Sequence, residues 1–283
     1  MFMKKTIYFL LTLMYISTIQ PLKAQQEDTV DKSKVQFKFG TFYNSNLNYY
    51  GRTDSLRSSG FFPLAEIWFS KSLYINAAPV FVSNAVSRFE YAGTVVTAGY
   101  QVKSKNEKIL THIFFTKPIY RSGSQLVQSA LKEQLSGTFS WQNKYLNITM
   151  GADLKHSDKL DYGLTGGVDH VFRHEFPEQF VLVVDPSAYI YAGTQQFTKT
   201  YYEKKSFLIF PGTEQALSKQ VSQLNVLSYE LTVPVVLAHS KWQIILIPAY
   251  VIPQNLITVE DRPDLSERGK KMIYLTAGAK IIF

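Results

Sequence analysis

The last thirteen residues, Lys271-Met-Ile-Tyr-Leu-Thr-Ala-Gly-Ala-Lys-Ile-Ile-Phe283, constrain the fold more than any other stretch. Taken in twos from the end, Phe283, Ile281, Ala279, Ala277, Leu275 and Ile273 are all apolar. The alternate set is Lys280, Gly278, Thr276, Tyr274 and Met272, with Ile282 its one fully apolar member. Successive side chains of a strand face opposite ways, so this segment has one oily face and one polar face. The same alternation recurs upstream. In 145–155, Leu146, Ile148, Met150, Ala152 and Leu154 oppose Tyr145, Asn147, Thr149, Gly151, Asp153 and Lys155. In 135–142, Leu135, Gly137, Phe139 and Trp141 oppose Ser136, Thr138, Ser140 and Gln142. Val35, Phe37 and Phe39 oppose Gln36, Lys38 and Gly40.

The other end of the chain reads as a leader. Residues 1–24 carry a basic start (Lys4, Lys5), an apolar run from Ile7 to Ile16 and a small-residue close at Leu22-Lys23-Ala24, the layout of a secretory signal peptide. Its apolar run is about ten residues, against roughly 20 for a spanning helix. Residues 25–34 are a polar linker, and 35–283 form one domain. No later segment approaches 18 uncharged apolar residues, so no membrane helix is expected. There is no cysteine, hence no disulfide and no lipidated Cys after the leader. Loss of Lys4, Lys5 and Lys23 takes the formal charge from +8 to +5, too mild an excess to argue for nucleic acid. The 18 Tyr and 20 Phe suit strands and membrane interfaces.

An amphipathic strand that ends the chain on an aromatic residue resembles the closing strand of Gram-negative outer-membrane β-barrels, porin-like proteins among them; no subfamily motif is matched. The resemblance implies an all-β fold, a closed antiparallel transmembrane β-barrel in the cell outer membrane. It also implies outer-membrane lipid as surroundings, and recognition of the C-terminal strand by the barrel-assembly machinery. Twelve strands are expected, at about 35–43, 61–69, 73–82, 89–102, 109–120, 135–141, 145–155, 159–172, 180–197, 226–238, 242–252 and 271–283. A merged or missed pair would make the barrel ten- or fourteen-stranded. Short connections alternate with longer ones, as periplasmic turns alternate with external loops in such barrels. The three-residue connection 156–158 breaks that rule. Segments 124–133 and 213–224 have helical spacing. Pro79, Pro186, Pro234 and Pro248 fall inside strands, and three of them at one height predict a ring of bulges.

Trp68, Trp141 and Trp242 lie within two residues of short turns and, with Phe283, are expected to form a periplasmic aromatic girdle. With the oily faces toward lipid, Lys38, Glu66, Asp153, Lys155, Asp161, Asp169, Asp185, Glu230 and Lys280 point into the barrel, lining either a narrow mixed-charge passage or a closed, salt-bridged interior. Twelve strands lie between the filled eight-stranded barrel and the open sixteen-stranded one. Arg52 and Arg57 of the first long loop face Asp264 and Glu267 of the last across the closing seam. Alternatively, Arg52, Arg57, Arg262 and Arg268 grip lipopolysaccharide phosphates. His112, His156, His170, His174 and His239 make neither a His-x-Ser pair nor a metal motif, and Gly-x-Ser-x-Gly is absent. Neither an enzyme nor a cofactor is therefore expected. The leading expectation is a narrow channel or solute-binding pore. The alternatives are a closed structural or surface-interaction barrel and a lipid-processing enzyme.

Overall fold

A computed structural model describes residues 35–53, 57–121, 131–196, 222–258 and 266–283. The leader, the linker, most of both helical segments, Arg262 and Asp264 lie outside the described residues.

The strands are β1 (Gln36–Asn44), β2 (Ser59–Trp68), β3 (Leu73–Ser83), β4 (Glu90–Lys103), β5 (Ile109–Tyr120), β6 (Glu133–Trp141), β7 (Asn147–His156), β8 (Leu160–Asp169), β9 (Phe172–Glu175), β10 (Phe180–Val184), β11 (Ser187–Gly193), β12 (Asn225–Thr232), β13 (Val235–His239), β14 (Trp242–Pro253) and β15 (Met272–Ile282). All pairings are antiparallel, and the circle closes where β1 meets β15. The fifteen segments make twelve barrel strands, because β8–β9, β10–β11 and β12–β13 are each one strand broken in two. The chain is thus a closed antiparallel twelve-stranded barrel.

The breaks are made by prolines. His170 N–H donates to Pro186 O, Asp185 N–H to Pro234 O, and Val233 N–H to Pro248 O. Each proline accepts across the ladder but has no N–H to return. The register is the same on both sides of each break: Val184 pairs Phe172 and Ser187 pairs Asp169; Val184 pairs Val235 and Ser187 pairs Thr232. No residue is inserted, so of the ring of bulges expected at Pro79, Pro186 and Pro248, those at Pro186 and Pro248 are corrected to clean gaps in the ladder, and Pro234 makes a gap of the same kind. Pro79 does neighbour a register shift, at Val80/Phe81 on the β4 side.

The outer surface is apolar. Phe39, Ile113, Met150, Leu164, Ile244 and Ile273 are exposed on strands spread around the circle, part of far more exposed hydrophobic side chains than a water-facing surface carries. Every alternating segment turns its oily set outward, as a membrane-spanning wall requires. The seam holds to the final residue, where Phe283 N–H donates to Phe37 O at 2.8 Å and Phe37 N–H returns to Phe283 O. The short connection survives as three residues, 157–159, between β7 and β8. Among the described residues β9 pairs only with β10, and all four of its residues are exposed. An open ladder edge is not tolerated in hydrocarbon, so the membrane boundary on this side lies near Asn147 and Asp169, which pair at the end of the closed wall.

Candidate functional site: the barrel interior and its plugged mouth

The inner wall is built from the side chains that alternation turns away from lipid. Lys38, Glu66, Lys155, Asp161, Asp169, Asp185, Glu230 and Lys280 are all buried, and the Asp153 side chain is 11% exposed. They fall into separate groups. Near the ends of the chain, Glu66 accepts from Lys280 Nζ at 3.1 Å and from Trp68 Nε1 at 2.7 Å, with Lys38 Nζ at 3.5 Å. Two ammonium groups thus share one carboxylate. Lys38 also stands 4.1 Å from the centre of the Trp68 ring. Trp68 is 5% exposed, stacks on Tyr74 and belongs to this interior cluster. That corrects its place in the girdle. It shares parity with Glu66, and turn proximity carries no information about which face a residue takes. Trp141 and Phe283 stand exposed on the outer face, with Trp242 half-buried beside them in parity with exposed Ile244.

Counting round the circle, β2 and the β8–β9 strand lie six strands apart in both directions. On that opposite wall Asp169 accepts from Asn147 Nδ2 at 2.7 Å, and the Asp185 carboxyl lies within hydrogen-bonding reach of it. Higher up, Lys155 pairs with Asp153, and Gln134 Nε2 donates to the same Asp153 oxygen. Asp161 accepts from Thr194 Oγ1 and Gln196 N–H. Glu230 accepts from Tyr274 OH at 2.9 Å. His112 binds Tyr74 OH at 3.0 Å inside the barrel. His156 meets Glu133 at the rim, His170 and His174 lie against Phe172 and Phe176, and His239 stacks on Phe180.

The interior is not uniformly polar. Phe42, Leu64, Val80, Val183, Ile245 and Ile247 share one buried apolar cluster on the β1–β4 and β10–β14 side. Unbroken apolar runs such as Ile244-Ile245-Leu246-Ile247 and Val181-Leu182-Val183-Val184 were its sequence signal. The β6–β8 side is the reverse. Its cross-strand rows, from the periplasmic end upward, are Asn147–Asp169, Ser140–Thr149–Gly167, Thr138–Gly151–Thr165, Ser136–Asp153–Gly163 and Gln134–Lys155–Asp161. All are small, polar or charged, and Thr138, Gly151 and Thr165 in the middle row are half-exposed although they face inward.

The external mouth is occupied by the first loop. Tyr49 and Arg52 exchange backbone hydrogen bonds around Tyr50 and Gly51, whose φ values are 53° and 73°. Two positive φ angles in a two-residue turn favour glycine strongly, and a Cβ on Gly51 would stand 2.8 Å from Pro253. The tip descends into the barrel, with Tyr49, Tyr50 and Arg52 at most 2% exposed. Tyr50 OH accepts from Lys155 Nζ, and its ring meets Tyr191 at 5.4 Å. Burial pushes both phenols above their ordinary range, so they stay neutral. Arg52 is bound on every side: Nε to Glu267 Oε2 at 2.7 Å, with further donations to Leu227 O, Gln254 O, Asn255 O, Tyr50 O and Gln195 Oε1. Arg52 therefore fastens the first loop to the last across the seam. Its donors are used internally, which removes it from the lipopolysaccharide set. Arg57 and Arg268 are exposed on the same two loops.

No protein-family profile and no curated protein matches the sequence. Among solved structures, the chain is similar to an outer-membrane channel from Pseudomonas putida F1, at 9% identity and TM-score 0.47, covering 91% of this chain and 100% of that one. It is similar to LpxR from Salmonella typhimurium, at 9% identity and TM-score 0.43, with 87% and 100% covered. It is also similar to the NanC porin, at 9% identity and TM-score 0.41, with 88% and 99% covered. The chain's own strand order, register and outward apolar face make it a closed twelve-stranded transmembrane barrel with its charges inside and its first loop folded into the external mouth.

Proposed function

We propose that the protein is an outer-membrane channel for a small polar solute, with its passage along the β6–β8 wall and its external mouth held shut by the first loop. The observation that carries this reading is the middle row Thr138–Gly151–Thr165. These are inward-facing small residues that water reaches, on a wall polar from end to end, while the β1–β4 and β10–β14 side carries a buried apolar cluster. A barrel built only for structure gains most by packing both walls alike.

Purified protein in planar bilayers is expected to give small single-channel steps. Thr138→Trp, which places an indole over Gly151 in the narrow row, is expected to cut the conductance several-fold while the folded gel band is retained. Absence of steps in both the wild type and a variant lacking the Tyr49–Arg52 tip would overturn the channel reading.

A further inference from the structure

The carboxylates of the β8–β13 wall differ from those elsewhere in the lumen. Glu66 is neutralised by Lys38 and Lys280, Asp153 by Lys155, and Glu267 by Arg52. Among the described residues, Glu230 has no such cation. It is 4% exposed, one oxygen takes the Tyr274 hydroxyl, and Oε2 is buried without a hydrogen-bond partner. Asp185 repeats the pattern lower down: it is 9% exposed, lies beside another carboxylate, and its Oδ1 is likewise unpartnered. A buried carboxylate that lacks a counter-charge is costly, and Glu230, Asp185 and Asp169 stand on one wall with none among the described residues.

The surroundings of Glu230 narrow the choice of partner. Tyr189 is its direct cross-strand neighbour, Tyr274 is hydrogen-bonded to it, and Tyr191 lies 6.1 Å from Tyr189 ring to ring. A carboxylate with tyrosines for neighbours suits a cation that carries apolar atoms, because aromatic rings attract the charge and pack against the carbon. A fully hydrated divalent ion gains less there. Glu230 also belongs to the cross-strand row that runs Thr149–Gly167–Tyr189–Glu230, so it borders the polar passage, with Asp169 and Asp185 below it toward the periplasmic end.

We infer that Glu230 is a binding station for monovalent amine cations and that the Asp169–Asp185 pair is the entry station below it. This rests on the channel reading for transport, though not for binding. The tyrosine ring of the first loop, Tyr50 against Tyr191, is the cover of that station on the external side.

Two measurements test it. In bilayers under a methylammonium chloride gradient, the reversal potential is expected to report cation over chloride selectivity, and methylammonium is expected to permeate better than potassium. Glu230→Gln should bring the selectivity several-fold toward unity, and Asp185→Asn should do so to a lesser degree. Glu133→Gln, on the outer rim, should leave it unchanged. Calorimetric titration of the detergent-solubilised protein with methylammonium chloride should show saturable binding that Glu230→Gln abolishes. A conducting but unselective pore, or binding indifferent to Glu230→Gln, would overturn the inference. Binding without any current would overturn the channel reading alone. If Glu230 merely carries a proton, no methylammonium binds and the station does not exist.

Discussion

Arg52→Ala is expected to loosen the external mouth and to lower the stability of the barrel by about 3–5 kcal/mol, the usual cost of stranding one member of a buried ion pair. The stranded group is Glu267, whose side chain is 1% exposed and whose Oε2 loses the guanidinium while it retains the Ile257 N–H at 3.1 Å. The carbonyls of Gln254 and Asn255 lose the Arg52 donor in the same step, while Leu227 O keeps the Gln254 N–H. Arg52→Lys should recover little, because one ammonium cannot serve acceptors arranged around a planar fork. The double variant Arg52→Ala/Glu267→Ala should recover part of the loss, since it removes the orphaned charge along with its partner. The measurements are the urea midpoint of the detergent-folded barrel and the temperature at which its compact gel band is lost. In bilayers, Arg52→Ala should open more often and conduct more than the wild type, because the Tyr49–Arg52 tip then loses its guanidinium anchor across the mouth and keeps its backbone bonds to the last loop and the Lys155–Tyr50 contact. A midpoint equal to wild type would mean that the ion pair is incidental.

Arg52 also shows where sequence reading succeeds and where it stops. The walls were legible because strand parity is a local property: Leu146 to Lys155 announces which side faces lipid with no knowledge of its neighbours. The inward positions of Lys38, Asp161 and Glu230 follow from the same parity. Trp68 was misplaced because nearness to a turn says nothing about which face a side chain takes. The pairing of Arg52 with Glu267 was one of two readings of the charged loops. Choosing between them required knowing that the loop descends into the barrel, and that depends on Leu227, Gln254 and Gln195, residues more than 140 positions away. Tyr49 and Tyr50, adjacent aromatics in a polar loop, were the available hint. The proline gaps were visible as residues, but their interlocking order, His170 with Pro186, Asp185 with Pro234, Val233 with Pro248, exists only once the register is fixed. The same holds for the apolar half of the lumen, where Ile245 and Ile247 become inward-facing only through their pairing with Gly278 and Thr276.

That pairing leads to the second large effect, expected at the seam. Gly278 on β15 stands directly opposite Phe42 on β1, and the Phe42 ring lies across the space a side chain at 278 would fill. A Cβ there would collide with that ring and would stand 2.8 Å from the Thr41 carbonyl oxygen, which is backbone and cannot rotate away. Phe42 is 1% exposed within the apolar cluster, so its ring has nowhere to go. Overpacking of this kind costs about 1–3 kcal/mol in an ordinary core. Here the strain falls on the contact that joins the two ends of the chain, a highly non-local pairing that closure must form against loop entropy. Gly278→Val is therefore expected to depress the yield of folded barrel sharply as well as its urea midpoint, most visibly as chain that refolds in detergent without acquiring the compact gel band. Gly137→Ala serves as the control, since it faces outward and an added Cβ meets nothing within 4 Å; its yield should match wild type. Phe42→Ala alone should lose about 3–5 kcal/mol by opening a cavity. Combined with Gly278→Val it should do better than the sum, because the valine occupies the space the ring vacates, yet it should not reach wild type while the Thr41 contact remains. A Gly278→Val protein that folds like the wild type would show that the seam closes on its backbone hydrogen bonds alone, with the ring over glycine contributing nothing to closure.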